Sequence, residues 1–188
     1  MRWRNTSNDW GLSAVLLHWL VALMVIGLFG LGLWMTGLDY YHPWYRTGPD
    51  LHRSLGVLLF AVILLRLAGR LFNPTPRPLP GHRRWEISAA HAAHALLYIL
   101  PLAVMLSGYL ISTADGRAVA VFDWFEIPAL FTGLEQQEEI MGDLHEVLAW
   151  GLIAIAALHA LGALKHHFID HDTTLTRMLG SNIKQEQS

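Results

Sequence analysis

Four histidines lie in or at the ends of long apolar segments of this 188-residue sequence, at positions 18, 52, 145 and 159. Ionisable side chains in such segments are costly to bury and usually have a function. His145 and His159 are 14 residues apart in one segment. In a helix, this spacing returns the second side chain to within about 40° of the first, about 21 Å farther along the axis. The spacing therefore predicts two sites at two depths on one helix face.

The depths of the other two histidines indicate their partners. His18 and His159 each lie about six residues from the more basic end of their segments, whereas His52 and His145 each follow an aspartate by two residues at the opposite ends. We therefore pair His18 with His159 and His52 with His145. Two opposed neutral imidazoles on facing helices are a bis-histidine ligand set for haem iron. Because the chain has no cysteine, these would be two haems of the b type, held non-covalently.

Other chemistry remains open for the same histidines. They could bond to neighbouring helices or line a proton path, as single histidines in membranes often do. A metal-transport site is a further alternative, but it would gather its ligands at one depth. Glycines at positions 27, 30, 32 and 56 could admit a flat macrocycle between helices, or could serve close helix packing alone.

Basic side chains near the predicted inner haem could contact its edge. Arg66 lies 14 residues after His52, so it would lie about 21 Å deeper on nearly the same face and could pair with a haem propionate. The alternative is that its side chain extends to lipid headgroups. His166 follows His159 by seven residues. Together with Lys165 and His167, it could bind a quinone headgroup and supply protons, because imidazole titrates near neutrality.

The elements that must position these residues are long apolar helices. The chain is 53% apolar and 15% charged, and residues 10–38 and 87–114 contain no Asp, Glu, Lys or Arg. A membrane helix needs about 20 apolar residues, and four segments qualify, at about 12–35, 51–72, 87–112 and 143–165. The first is too long for a cleaved signal peptide, so we expect it to be retained. The fold class is therefore an all-α membrane protein, a single four-helix domain over residues 1–188.

The distribution of basic residues predicts the orientation, because cytoplasmic loops are enriched in Lys and Arg. Ten of the 13 Lys and Arg residues fall on one side of the predicted spans: Arg2, Arg4, Arg66, Arg70, Arg77, Arg83, Arg84, Lys165, Arg177 and Lys184. Both termini and the 73–86 loop, which has four prolines, should therefore face the cytoplasm. In the longest outer loop, residues 121–131 could lie in the membrane interface as a short amphipathic piece. A net charge of −2 argues against a nucleic-acid partner.

Several segments resemble the bacterial cytochrome b561 family, and the likeness covers nearly the whole chain. These segments are LLHWLVALMVIGLFGLGLWM, DLHRSLGVLLFAVILLRLAGRL, SGYLISTADGR, GDLHEVLAWGLIAIAALHALGALKHHF and IDHDTTLTRMLG. The resemblance implies a small di-haem protein of the bacterial inner membrane. It also implies one haem between His18 and His159 and the other between His52 and His145, the pairing that the depths gave. The KHH stretch matches a region that one branch associates with quinone, which singles out His166.

The resemblance implies electron exchange with ubiquinone, and one branch of the family oxidises superoxide on the periplasmic side. The sequence EQQEE at 135–139 makes the outer side acidic and would repel an anionic substrate. A periplasmic protein or a small carrier is therefore an alternative donor. We expect a transmembrane electron carrier or a donor:ubiquinone oxidoreductase. The alternatives are a membrane-anchor subunit that connects a partner enzyme to quinone, and a haem-free transporter with a histidine proton relay.

Overall fold

Four long helices account for most of the structure, a computed structural model that describes residues 2–79 and 81–180. They are α1 (Leu12–Thr36), α2 (Thr47–Phe72), α3 (Arg84–Ser112) and α4 (Gln137–Phe168), followed by a short α5 (Thr174–Met178). Each of the four is long and apolar enough to cross a membrane. In the most apolar 18-residue stretch of each helix, at most 11% is buried inside the protein. The predicted helical membrane fold is confirmed. The predicted cytoplasmic termini and the single-domain organisation stay predictions, and Lys184 lies outside the described residues.

Three of the helices begin before the predicted apolar segments, α3 by three residues and the other two by more. Helix α2 starts four residues and α4 six residues before the predicted spans, at Thr47 and Gln137. Their first turns carry Asp50 in α2 and two glutamates in α4, and acidic groups there stabilise the unpaired N–H groups of a helix start. Apolar content marks the stretch suited to lipid, whereas the helix itself continues into polar sequence.

The chain divides into two compact units, and each long helix contributes to both. The described parts of the first unit lie within residues 1–21, 62–97 and 154–188, and those of the second within 22–61 and 98–153. In the first unit, Ile63 is almost fully buried; in the second, Val121 is. The two units are described separately below.

The longest loop belongs to the second unit and contains a small hairpin where we expected an amphipathic interfacial piece. Strands β1 (Val119–Val121) and β2 (Phe125–Ile127) pair antiparallel. Phe122 and Asp123 at the turn both have positive φ, 47° and 59°, as a tight type I′ hairpin turn requires. The Phe122 N–H donates to Ser54 Oγ of α2 (3.1 Å), so the hairpin is attached to the helix that carries His52.

The terminal segments of the first unit are joined by hydrogen bonds. The indole Nε1 of Trp19 in α1 donates to the Met178 carbonyl in α5 (2.8 Å). Asn5 Nδ2 donates to the Pro74 carbonyl (3.0 Å), and the Arg77 N–H donates to the Ser7 carbonyl (2.9 Å). These bonds hold the N-terminal segment, the proline-rich loop and α5 around the helix that carries His18.

Two candidate cofactor sites on histidine pairs

The second unit brings His52 of α2 and His145 of α4 together, as the sequence predicted. Their ring centroids are 6.2 Å apart and the ring planes are inclined by 71°. Two metal–imidazole bonds of about 2 Å, with about 1 Å more to each ring centre, span about 6 Å. The two rings are therefore spaced as a shared metal ion between them would require. We call this pair and its neighbours the His52 site.

One ring nitrogen of His145 is fixed by helix α3. The Nδ1 atom lies 2.9 Å from the Val104 carbonyl and 3.1 Å from Ser107 Oγ, and Ser107 is only 2% exposed. Because a carbonyl oxygen only accepts hydrogen bonds, Nδ1 carries the proton. The lone pair then belongs to Nε2, which is the usual arrangement when a histidine ligates a metal and a second group orients it.

The partner ring in the same site is held differently. Nδ1 of His52 is buried and has no hydrogen-bond partner among the described residues. Buried polar atoms are rarely left unpaired. This nitrogen therefore fits a ring that packs beside a bound group, rather than one that serves a hydrogen-bond network between helices.

Two glycines lie directly against the rings of the His52 site. A Cβ on Gly32 would lie 3.4 Å from Cε1 of His52, and a Cβ on Gly108 would lie 3.1 Å from Cε1 of His145. The sequence predicted a role for Gly32 but not for Gly108 or Ser107. The only indication of these two residues was that they belong to SGYLISTADGR, one of the segments that carry the family resemblance. A Cβ on Gly27, Gly30 or Gly56 would meet nothing within 4 Å, which is compatible with a flat group against these helices.

The first unit brings together His18 of α1 and His159 of α4, the other predicted pair. Their ring centroids are also 6.2 Å apart, with planes inclined by 75°. A third imidazole, that of His94 in α3, has its ring centroid 5.2 Å from that of His159. The sequence analysis did not place His94 in this group. These three residues and their neighbours form the His18 site.

A positive charge lies beside the His18 site. The guanidinium of Arg66 in α2 donates from Nη1 to the Ala14 carbonyl (3.4 Å), one helical turn before His18. The side chain is only partly exposed, so its charge is screened less than that of a surface arginine. An arginine in this position could hold a carboxylate of a bound group, as the sequence predicted for a haem propionate.

The last predicted site residue, His166, lies in a charged cluster at the end of α4. Its Nδ1 is 2.6 Å from the Asp170 carboxylate. Lys165 Nζ donates to Asp170 (2.7 Å) and to Glu86 of α3 (2.6 Å). The hydrogen bond from Lys165 is the largest cause that holds the pKa of Asp170 below its ordinary value. The cluster combines imidazole and carboxylate groups that could move a proton at the end of the helix.

Comparisons with known proteins relate the chain to one family. A family profile described as prokaryotic cytochrome b561 matches residues 9–181. The chain is 45% identical to "Cytochrome b561 homolog 2" of Escherichia coli (strain K12) over 182 residues, 97% of each chain. It is 29% identical to "Probable superoxide oxidase CybB" of Yersinia pestis, over 87% of this chain and 91% of that one. It is also 27% identical to "Cytochrome b561 homolog 1" of Escherichia coli (strain K12), over 92% of this chain and 97% of that one.

Proposed function

Because the chain belongs to the prokaryotic cytochrome b561 family, we propose that it carries electrons through two non-covalent b-type haems, from a periplasmic donor to ubiquinone. The family and the four apolar helices make it a multi-pass protein of the bacterial inner membrane that binds haem and transfers electrons. The number of haems, their ligands, the donor and the quinone are what we add to that conclusion.

The observation that supports two haems is that two separate histidine pairs have the same ring separation, 6.2 Å. Histidines in a proton relay would have ring nitrogens about 3 Å from one another or from a water molecule. Such a relay gives no reason for two pairs to share the same ring-centroid separation. We therefore propose His18 and His159 as ligands of one haem and His52 and His145 as ligands of the other.

The chain's own groups prepare each site. A bound haem supplies a one-electron couple, and the protein supplies the ligands, their orientation and the surrounding charge. The Val104 carbonyl keeps the proton of His145 on Nδ1, which leaves Nε2 as the donor nitrogen. Gly32 and Gly108 leave room for the rings to stand close to the helix backbones. Arg66 brings a positive charge that would balance a propionate in the His18 site.

We place ubiquinone next to His166, as the family resemblance implies. Reduction of a quinone to a quinol takes up two protons with two electrons, so its site needs proton donors near the headgroup. His166 is hydrogen-bonded to Asp170, which Lys165 also contacts. Imidazole would hold the transferable proton at its ring nitrogen, and the hydrogen bond to Asp170 would orient the ring.

The donor is proposed to act on the opposite side, where the acidic loop lies. Superoxide is a candidate because a relative is named a probable superoxide oxidase, and a basic periplasmic protein is the alternative. Glutamates 135, 138 and 139 are exposed, and their charge would slow an anion but attract a basic protein. We keep both termini on the cytoplasmic side, as the distribution of Lys and Arg predicts.

The test is the haem content of the purified protein and two ligand variants. We expect two haems per chain from a pyridine haemochrome assay with protein quantitation, and one haem in both His145→Ala and His159→Ala. His171→Asn replaces an exposed histidine outside both sites and should keep two. Haem-free wild-type protein would overturn the proposal and favour a histidine proton relay. One haem per wild-type chain would refute the two-site assignment.

A further inference from the structure

A group of metal-binding side chains lies outside both histidine pairs, in the first unit. His82 precedes α3, His166 is in the last turn of α4, and Asp172 lies in the link between α4 and α5. Each offers one ligand atom, and these atoms all lie within 4.8 Å of one another. The three residues come from three separate segments, so the fold, rather than local sequence, brings them together.

The distances suit a small cation after modest side-chain movement. His82 Nε2 is 2.7 Å and His166 Nδ1 is 3.6 Å from Asp172 Oδ2. In a tetrahedral zinc site with bonds of 2.0–2.1 Å, neighbouring ligand atoms are about 3.3 Å apart. The present spacings lie on both sides of this value. The rings of His82 and His166 are stacked with centroids 4.3 Å apart, so one ring must rotate for both to face one ion.

The carboxylate of Asp172 is positioned from its other side. Its Oδ1 accepts a hydrogen bond from the Thr174 N–H (2.7 Å), which leaves Oδ2 directed at the two imidazoles. The Oδ2 atom therefore remains available as a ligand atom on the side of the imidazoles.

The charges around the three residues favour a cation. Lys165 is engaged by Glu86 and Asp170, and Asp170 also bonds to His166 Nδ1. With neutral imidazoles, three carboxylates therefore face one ammonium group in this cluster. The ion pairs of this cluster therefore carry a negative surplus, which favours a cation.

The backbone path of the link explains how Asp172 reaches His166. The Asp172 N–H donates to the His166 carbonyl (3.1 Å), and His171 has a positive φ of 54°. This left-handed residue turns the chain back over the last turn of α4. The turn therefore places Asp172 beside the helix end instead of continuing away from it.

We propose that His82, His166 and Asp172 form a binding site for a divalent transition-metal ion, for which Zn²⁺ is the best-fitting probe. Two nitrogens and one oxygen are a zinc donor set that leaves a fourth position for water. The site does not depend on either haem or on quinone. Zinc in it would occupy His166, the residue that we propose for the quinone headgroup, so the two ligands would compete.

The test measures Zn²⁺ binding to the haem-loaded protein in lipid nanodiscs, by competition with a chromophoric chelator and by metal analysis after dialysis. We expect one Zn²⁺ per chain and at least about tenfold weaker binding in His82→Asn and in Asp172→Asn. The control His171→Asn keeps a residue that tolerates the left-handed conformation and should bind as the wild type does. Zinc K-edge X-ray absorption of the wild type should show nitrogen and oxygen neighbours at about 2.0–2.1 Å, including imidazole.

The haem content of each variant checks its folding independently of zinc. A variant that keeps its haems and loses zinc supports the site. The proposal is wrong if the wild type binds no zinc, or if both ligand variants keep their haems and bind zinc as tightly as the His171→Asn control. Either result leaves the electron-transfer proposal intact, because that proposal depends on haem content alone.

Discussion

The His52 site and the His18 site share one distance, the separation of their two imidazole rings, and differ in almost all the residues around the rings. In both, the imidazole centroids are 6.2 Å apart. In the His52 site, a backbone carbonyl, a buried serine and two glycines surround the rings. In the His18 site, a third imidazole and an arginine do so. If both pairs ligate haem as proposed, the equal spacing accounts for binding in both sites, and the different neighbours should give the two haems different reduction potentials.

The largest effect should follow from filling the space beside His145. In Gly108→Val, the new Cβ would lie 3.1 Å from Cε1 of His145, and the branched side chain cannot move away because it grows from the helix backbone. We expect the haem at the His52 site to be lost, and the content to fall from two haems to one. Gly151→Val is the matched control, because a Cβ there meets nothing within 4 Å and Gly151 lies about 120° around α4 from His145. Equal haem loss in both variants would show that Gly108 has no specific role.

The second-largest effect should come from removing the positive charge beside the His18 site. Arg66→Gln removes a cation from the His18 site, so the reduced, more negative haem loses stabilisation and its potential should fall by on the order of tens of millivolts. Arg53→Gln is the control near His52, because Arg53 is paired with Asp50 and exposed. Redox titration by optical spectroscopy measures both. An unchanged potential in Arg66→Gln would exclude a contact between this arginine and the haem.

A smaller shift is expected from the buried hydroxyl in the His52 site. Ser107→Ala removes an acceptor at 3.1 Å from His145 Nδ1. A less basic imidazole stabilises ferric iron less, so the potential should rise by on the order of ten millivolts. The haem at the His18 site should keep its potential. Electron paramagnetic resonance of the oxidised protein checks the same change through the ligand field, and a shift in the other haem would contradict the assignment.

The smallest effect concerns acid stability at the end of α4. The bond from Lys165 lowers the pKa of Asp170 in the folded protein. A lowered folded pKa stabilises the fold above the unfolded value, and the gain is lost as pH falls through the folded value. We expect a slight drop in thermal stability below about pH 4, and a weaker drop in Asp170→Asn. Identical acid profiles for the two proteins would remove Asp170 from the explanation.

The sequence predicted the four long helices and the two histidine pairs because the helices follow from composition and the pairs from spacing along the chain. Charge-free segments give the helices, and a 14-residue spacing on one helix gives the two depths. The structure brings His18 to His159 and His52 to His145, the partners that depth alone suggested. That they ligate haem stays a prediction.

The supporting residues could not be predicted in the same way. Ser107 and Gly108 matter through the distance between α3 and the ring of His145, and that distance depends on how the helices pack. The cluster of His82, His166 and Asp172 depends on a left-handed residue at position 171, where the residue is His and not the usual glycine. The hairpin at 119–127 was missed because its mixture of aromatic and acidic residues equally suits an amphipathic interfacial piece.

The bond between Trp19 and the Met178 carbonyl affects how the membrane orientation should be measured. Reporter enzymes or fluorescent proteins are usually fused at a truncated end of the chain. A fusion made before Thr174 would delete the partner of an indole whose neighbour in sequence, His18, belongs to a proposed haem site. Fusions for such mapping should therefore retain α5, so that the reporter is carried by a protein in which the surroundings of His18 are unchanged.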